Sequence, residues 1–204
     1  MAPGQVITLF VRGITVPDAA ATQLPLPTSL SGVSVAVTKL MYADLAPDLL
    51  PIFRVHSEDF CGGRLAVNCP VTQVTVQIPT EAFCMSTAPQ GCSFVTEAAL
   101  ILNVKLNGVA GQDFPVSVYG AVPHFVNACD TITTNNTGLC NQGITHADGS
   151  PVSAGNPARP GETIVLYALG LGRTSPTIPT GTAATGPAPA GRRLLTSRRL
   201  PPIL

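Results

Sequence analysis

Apolar and polar residues alternate with a period of two along several stretches of this chain, a pattern typical of β-strands. It is clearest in residues 33–37, 74–78 and 100–106, where valine, isoleucine or leucine occupies every second position. This period dominates over any helical period. Each such strand has one apolar face that must be buried against a second layer. The pattern therefore predicts an all-β fold in which antiparallel sheets pack as a sandwich.

Residues 99–120 are predicted to form a β-hairpin. The alternation of residues 100–106 stops at Asn107-Gly108, a strong signal for a tight turn, and resumes at residues 114–118. Two strands joined by a short loop account for both stretches.

One stretch of the chain occurs twice. Residues 2–14 and 159–171 share a Pro-Gly pair, an apolar strand pattern and a trailing glycine in the same register, 157 positions apart. This indicates a duplicated supersecondary element, with matching strands at residues 6–11 and 163–169. Only 33 residues follow Leu171, so we expect one complete unit and the beginning of a second, cut from a longer protein.

The predicted organisation follows from these strands and the stretches between them. We expect disulfide-braced loops at residues 56–70 and 79–97, and an extended segment at residues 176–189, which is rich in Pro, Thr, Ala and Gly. The predicted divisions are a β-sandwich at 1–122, a long connecting loop at 123–160, the first strands of an incomplete second unit at 161–190, and a disordered basic tail at 191–204.

Composition supports an all-β class and excludes some partners. Hydrophobic residues make up 45% and charged residues 11%, with 19 Gly, 20 Pro and no Trp, which indicates a core with frequent turns. Four of the 11 basic residues lie in the last 13, so the preceding chain is mildly acidic and lacks the basic surface that binds nucleic acid. No apolar run approaches the roughly 20 residues of a membrane span, so membrane insertion is not expected.

The six cysteines form three pairs that are local in sequence. Seven, seven and ten residues separate their members, and no C-x-x-C motif occurs, which favours disulfides over zinc. Pairing of neighbours is the simplest of many connectivities. Disulfides imply an oxidising compartment, hence an extracellular or cell-surface location. The first residues lack a secretion signal, so we expect it upstream in the parent protein. The candidates are Cys61, Cys69, Cys84, Cys92, Cys129 and Cys140.

Two small clusters of ionisable residues are candidate sites. His56, Glu58 and Asp59 provide imidazole and carboxylate groups that suit a metal site or an acid–base pair, and a solvated polar loop is the alternative. His146 and Asp148 would be a second catalytic candidate, although Asp148 precedes a glycine and is also a turn signal. We expect no catalytic residues, no cofactor and no metal.

Other candidate residues carry weaker signals. The chain has no nucleophile elbow, zinc-protease motif or phosphate-binding glycine loop. Asp44, Asp48, Asp113 and Asp130 could help to bind calcium, but no Asp-x-Asp-x-Asp loop contains them. Five phenylalanines near the predicted loops would contact a protein or sugar if exposed, and would pack locally if buried. They are Phe53, Phe60, Phe83, Phe94 and Phe125.

Several blocks of the chain resemble one bacterial family. The blocks are residues 32–37, 42–47, 72–79, 106–109 and 156–172, in this order. They resemble the uncharacterised C-terminal domain of secreted bacterial proteins, which is related to immunoglobulin-like IPT/TIG domains. The cysteine-bearing loops and the arginine-rich tail depart from that pattern.

The resemblance implies tandem immunoglobulin-like sandwiches at the end of large exported proteins, with no known catalytic residues. The expected function is a non-catalytic structural or adhesion module that acts as a spacer or contacts a protein or polysaccharide. Neighbouring domains of the parent protein would be its first partners. The alternatives are an accessory binding domain of a secreted carbohydrate-active enzyme and a hydrolase that uses His56 with Glu58 or Asp59.

Overall fold

The computed structural model describes residues 1–39, 48–59, 70–80, 97–127 and 143–187. This part of the chain forms strands, turns and bends, and it contains no helix long and apolar enough to cross a membrane. The strands are β1 (Val6–Arg12), β2 (Ala19–Ala20), β3 (Ser29–Leu30), β4 (Val33–Lys39), β5 (Asp48–Leu49), β6 (Ile52–Asp59), β7 (Pro70–Gln77), β8 (Glu97–Leu106), β9 (Val109–Tyr119), β10 (His124–Phe125), β11 (Ile144–His146), β12 (Ile164–Leu166) and β13 (Ala168–Leu169).

Two larger sheets and two small ones contain these strands. Sheet A has the order β1-β7-β6-β2, and sheet B has the order β3-β4-β8-β9 with β5 also paired to β4. The small sheets are β10-β13 and β11-β12. All the pairings are antiparallel, which confirms the predicted all-β, antiparallel class.

The hydrophobic core lies between sheets A and B. Val55, Val74 and Val76 of sheet A belong to the same buried cluster as Val35 and Leu100 of sheet B. Alternate residues of each strand point into this cluster because successive side chains of a strand face opposite sides. The packing is sandwich-like.

Strands β4, β7, β8 and β9 confirm the strongest alternating patterns. The predicted hairpin is β8 and β9, and its turn residues Asn107 and Gly108 have φ of 50° and 83°. A two-residue turn with both φ values positive matches the twist of the flanking strands. A second such turn, at Ser31 and Gly32 with φ of 49° and 77°, joins β3 to β4 and was not predicted.

Two predicted loops contain strands. His56 and Glu58 lie on β6, in the middle of sheet A, and not in a disulfide-braced loop. The long connection predicted for residues 123–160 contains β10 and β11. These two short strands pair with β13 and β12, so the connection is joined to the segment that follows it.

The two stretches predicted to be a repeat differ in their pairing. In its first occurrence β1 pairs with β7 along its whole length. The matching stretch is split at Tyr167 into β12 and β13. The trailing glycines of both stretches, Gly13 and Gly170, have positive φ (83° and 68°), a conformation that glycine adopts without steric cost.

The Pro-rich segment after β13 is attached to the end of the main sandwich. The Thr80 amide donates to Thr180 Oγ1 at 2.9 Å, and the Gly181 amide donates to Gln77 Oε1 at 2.7 Å. The Leu26 amide donates to the Gly181 carbonyl at 2.9 Å. A segment predicted to be merely extended thus has specific partners on the first unit.

Candidate functional site

A row of side chains crosses the solvent-facing side of sheet A. Phe10 on β1 is the register partner of Gln73 on β7, which is in turn the partner of His56 on β6. Direct partners in an antiparallel ladder lie on the same face. Asp18, just before β2, extends the row beyond His56. We call Phe10, Gln73, His56 and Asp18 the outer-face row.

The His56 ring is fixed by Asp18. His56 Nδ1 donates to Asp18 Oδ2 at 2.5 Å, and the Ser57 amide donates to Asp18 Oδ1 at 3.0 Å. A carboxylate can only accept, so the proton of this contact is on Nδ1. Both side chains are accessible, with 28% of His56 and 55% of Asp18 exposed.

The pKa of Asp18 is lowered from its ordinary value of 3.8. The main cause is the hydrogen bond from the Ser57 amide, followed by the hydrogen bond from His56. Both contacts favour the charged carboxylate over the neutral acid. Asp18 therefore contributes a fixed negative charge to the row at neutral pH.

Glu58 lies on the other side of His56. Its Oε2 is 3.8 Å from His56 Nε2, beyond hydrogen-bond distance, and its Oε1 accepts from Gln73 Nε2. Within the described residues no three His, Cys, Asp or Glu side chains are arranged to hold a metal ion. His56 instead bonds to Asp18, and Glu58 bonds to Gln73.

Ser57 points to the opposite side of the sheet and supports the site from there. It accepts from the Val16 amide at 3.1 Å, and its Oγ lies 2.9 Å from Thr72 Oγ1. Thr72 Oγ1 donates to the Ile14 carbonyl at 2.7 Å. This chain of hydrogen bonds holds the loop before β2 against β6 and β7, and thereby positions Asp18.

His146 and Asp148 make separate contacts. His146 Nδ1 lies 2.7 Å from Glu162 Oε1, and its Nε2 lies 3.2 Å from the Asn156 carbonyl. Asp148 Oδ1 accepts from the amide and the hydroxyl of Ser150, and mainly this hydroxyl lowers the Asp148 pKa. His146 thus joins β11 to the stretch before β12, while Asp148 closes a turn.

The remaining candidates are only partly described. Asp113 Oδ1 accepts from Asn103 Nδ2 at 2.7 Å across the β8–β9 hairpin. Phe53 is half-buried and Phe125 is exposed. The six cysteines of the disulfide prediction and the side chains of several other candidates lie outside the described residues. These are Cys61, Cys69, Cys84, Cys92, Cys129, Cys140, Asp44, Asp48, Asp59, Asp130, Phe60, Phe83 and Phe94.

A second candidate surface is an apolar cleft between the two large sheets. It has a volume of about 1000 Å³ and lies between β1 on one side and the β8–β9 hairpin on the other. Sequence reasoning did not find it, because alternation shows which residues face inward but not whether a strand covers them. Its apolar walls include Ile7, Leu9, Val11, Val104, Leu106 and Phe114. We call this space the β1–β9 cleft.

No family model matches this chain, and no curated protein or solved structure matches it either. The resemblance to IPT/TIG-related domains therefore stays a prediction from residue blocks such as 156–172. The outer-face row and the β1–β9 cleft are the features from which a function has to be inferred.

Proposed function

We propose that this chain is a non-catalytic structural or adhesion module of an exported bacterial protein. In this proposal it is an immunoglobulin-like sandwich that holds neighbouring domains apart and contacts a protein or polysaccharide through the solvent-facing side of sheet A. The observation that carries the proposal is the outer-face row, in which an exposed phenylalanine stands beside hydrogen-bonding side chains on a sheet.

The chemistry of the row suits an extended, polar partner. The Phe10 ring is 44% exposed and offers an apolar surface on which a sugar ring or an apolar side chain can pack. Gln73 and the pair formed by His56 and Asp18 offer donors and acceptors that fix the orientation of such a partner. A sheet face presents these groups in a line with little concavity.

The surrounding sheet keeps this line rigid. β7 is paired on both sides, with β1 over seven residue pairs and with β6 along most of its length. The spacing of Phe10, Gln73 and His56 is therefore set by backbone hydrogen bonds and not by flexible loops. In a spacer the same rigidity holds a distance between domains.

The hydroxyl next to His56 is not placed for a nucleophilic reaction. Ser57 points to the other side of the sheet, where its hydroxyl lies 2.9 Å from Thr72 Oγ1. A nucleophilic mechanism requires the hydroxyl and the imidazole within hydrogen-bond reach.

An accessory binding domain of a secreted carbohydrate-active enzyme is the second candidate function, favoured by the exposed Phe10 ring beside the Gln73 amide.

Binding to insoluble polysaccharides and to a panel of cell-surface proteins tests the proposal. Phe10→Ala should weaken retention by roughly tenfold, which corresponds to about 1.4 kcal/mol. Leu24→Ala removes another exposed apolar side chain, 57% exposed and outside the row, and should have no effect. Retention on polysaccharide alone would favour the accessory domain, and retention on protein would favour adhesion. Equal binding by the wild type and Phe10→Ala would refute a role for the outer-face row.

A further inference from the structure

The core side of β9 is partly uncovered. Phe114 is the register partner of Leu102, so both side chains lie on the face that packs against sheet A. Leu102 is 1% exposed, but Phe114 is 59% exposed. Val109, the partner of Leu106, is likewise 74% exposed. Apolar side chains that belong to the core face are therefore incompletely covered by the described residues.

The cause is that sheet A ends at β1. β1 pairs with β7 alone in the described part of the chain, so one of its edges has free backbone donors and acceptors. Its core-facing residues Ile7, Leu9 and Val11 form one wall of the β1–β9 cleft. A further strand added to the free edge of β1 would lie over β9, fill the cleft and cover Phe114.

The same chain displays a strand with suitable properties. β12 pairs only with β11, and β13 only with β10, so among the described residues each has a single strand partner. Residues 163–169, which contain both strands, are also the counterpart of β1 in the predicted duplication. Their exposed apolar side chains are Ile164, Val165, Leu166, Tyr167 and Leu169.

The side chains of the two strands match in an antiparallel register. If residue 163 lies beside Arg12 and residue 169 beside Val6, Leu166 comes beside Leu9 and faces the cleft. Val165 then lies beside the exposed Phe10 on the outer face, a favourable aromatic and β-branched pair.

Charge favours the same register. This register brings Glu162, which precedes β12 and contacts His146, next to the end of β1 that carries Arg12. Arg12 is exposed and has no ion-pair partner within the described residues. The chain has equal numbers of basic and acidic residues, 11 of each, so the net charge does not oppose the approach of two copies.

We propose that residues 163–169 of one copy of this chain add as a strand to the free edge of β1 in a second copy and fill its β1–β9 cleft. The contact joins two different surfaces, so it is head-to-tail: the copy that donates its strand retains a free cleft, and the copy that accepts it retains a free donor strand. Association of this kind produces open-ended chains of modules. It goes beyond the proposed contact with other molecules and does not depend on it.

Sedimentation velocity and light scattering of the full chain test the proposal. The average mass should rise with concentration across the micromolar range. Phe114→Lys blocks the cleft, and Ile164→Lys blocks the donor strand. Each variant alone should stay monomeric, because every contact needs both surfaces. Their mixture should form a one-to-one heterodimer, because one variant keeps its donor strand and the other keeps its cleft.

Leu24→Lys is the matched control, since Leu24 is exposed and lies outside both surfaces; this variant should associate like the wild type. Circular dichroism should show an unchanged fold in all three variants, because every substituted side chain is at least 40% exposed. A wild type that stays monomeric throughout, association that survives both substitutions, or a mixture that stays monomeric would each overturn the proposal.

Discussion

Asp18 stabilises the outer-face row through two hydrogen bonds that require its charged form. The Ser57 amide and the His56 ring both donate to its carboxylate. A carboxyl group whose pKa is lower in the folded state stabilises the fold at pH values above its unfolded pKa. That stabilisation is lost as the pH falls through the folded pKa.

Asp18→Asn should therefore destabilise the protein in a pH-dependent way. At neutral pH its free energy of unfolding should be below that of the wild type, because the amide binds the imidazole less strongly than a carboxylate does. Below the lowered pKa of Asp18, the difference should largely disappear. Urea unfolding at neutral and at acidic pH measures the free energies of unfolding of the wild type and of Asp18→Asn. A difference that stayed constant over this range would show that the Asp18 charge does not contribute.

The partner of His56 was not predictable from local sequence. Sequence proximity associated His56 with Glu58 and Asp59, whereas its hydrogen bond goes to Asp18, 38 positions away. That contact depends on the pairing of β2 with β6. β2 has only two residues, so it is too short to show any alternation.

The β8–β9 hairpin contains a matched pair of residues for a test of packing. Leu102 and Phe114 are register partners on the same face, one buried and one exposed. Leu102→Ala should lower the free energy of unfolding by about 2–5 kcal/mol, the usual cost of a cavity in a core. Phe114→Ala should cost about 1 kcal/mol or less, because much of its ring already contacts water.

Chemical denaturation at a concentration that keeps the protein monomeric measures this difference. Equal costs for the two substitutions would show that Phe114 is covered in solution. That result would also remove the basis for an open β1–β9 cleft in the monomer.

Elements were predictable where local pattern alone determines them. Strands β4, β7 and β8 show regular alternation, and Asn107-Gly108 fixes the turn that follows β8. β6 was missed because its register shifts between Ile52 and Arg54, which breaks the two-residue period. The two-residue strands depend on their partners in the sheet and have no pattern of their own.

At the scale of the whole molecule, the segment that follows β13 is attached to the end of β7. Gln77 at the end of β7 accepts from the Gly181 amide, and Thr80 bonds with Thr180 and with the Ile178 carbonyl. Gly181 is buried, and a side chain there would approach Pro51 to 3.3 Å. The segment therefore packs closely against the surface of the sandwich.

Gln77→Ala should release this segment without unfolding the sandwich. Hydrogen exchange should become at least several-fold faster at the Gly181 amide, because its acceptor is lost. The core amides of β7 should exchange as in the wild type. Gln73→Ala, four residues away on the same face of β7, is the control and should leave exchange at Gly181 unchanged. Unaltered exchange at Gly181 in Gln77→Ala would contradict the proposed attachment.

The duplication predicted where the second apolar strand lies but not how it pairs. The pattern of residues 163–169 is that of β1, yet its partners are β11 and β10 instead of a counterpart of β7. Which strands pair over long sequence separations is decided by packing of the whole chain. A local repeat contains no information about it.

The attachment of residues 178–181 to Gln77 and Thr80 also determines how the molecule would respond to mechanical tension. A pull transmitted from the C-terminal side reaches the main sandwich at the end of β7, which is hydrogen-bonded on both sides. A load directed along β7 must shear two ladders at once, instead of opening one ladder bond by bond from a free edge.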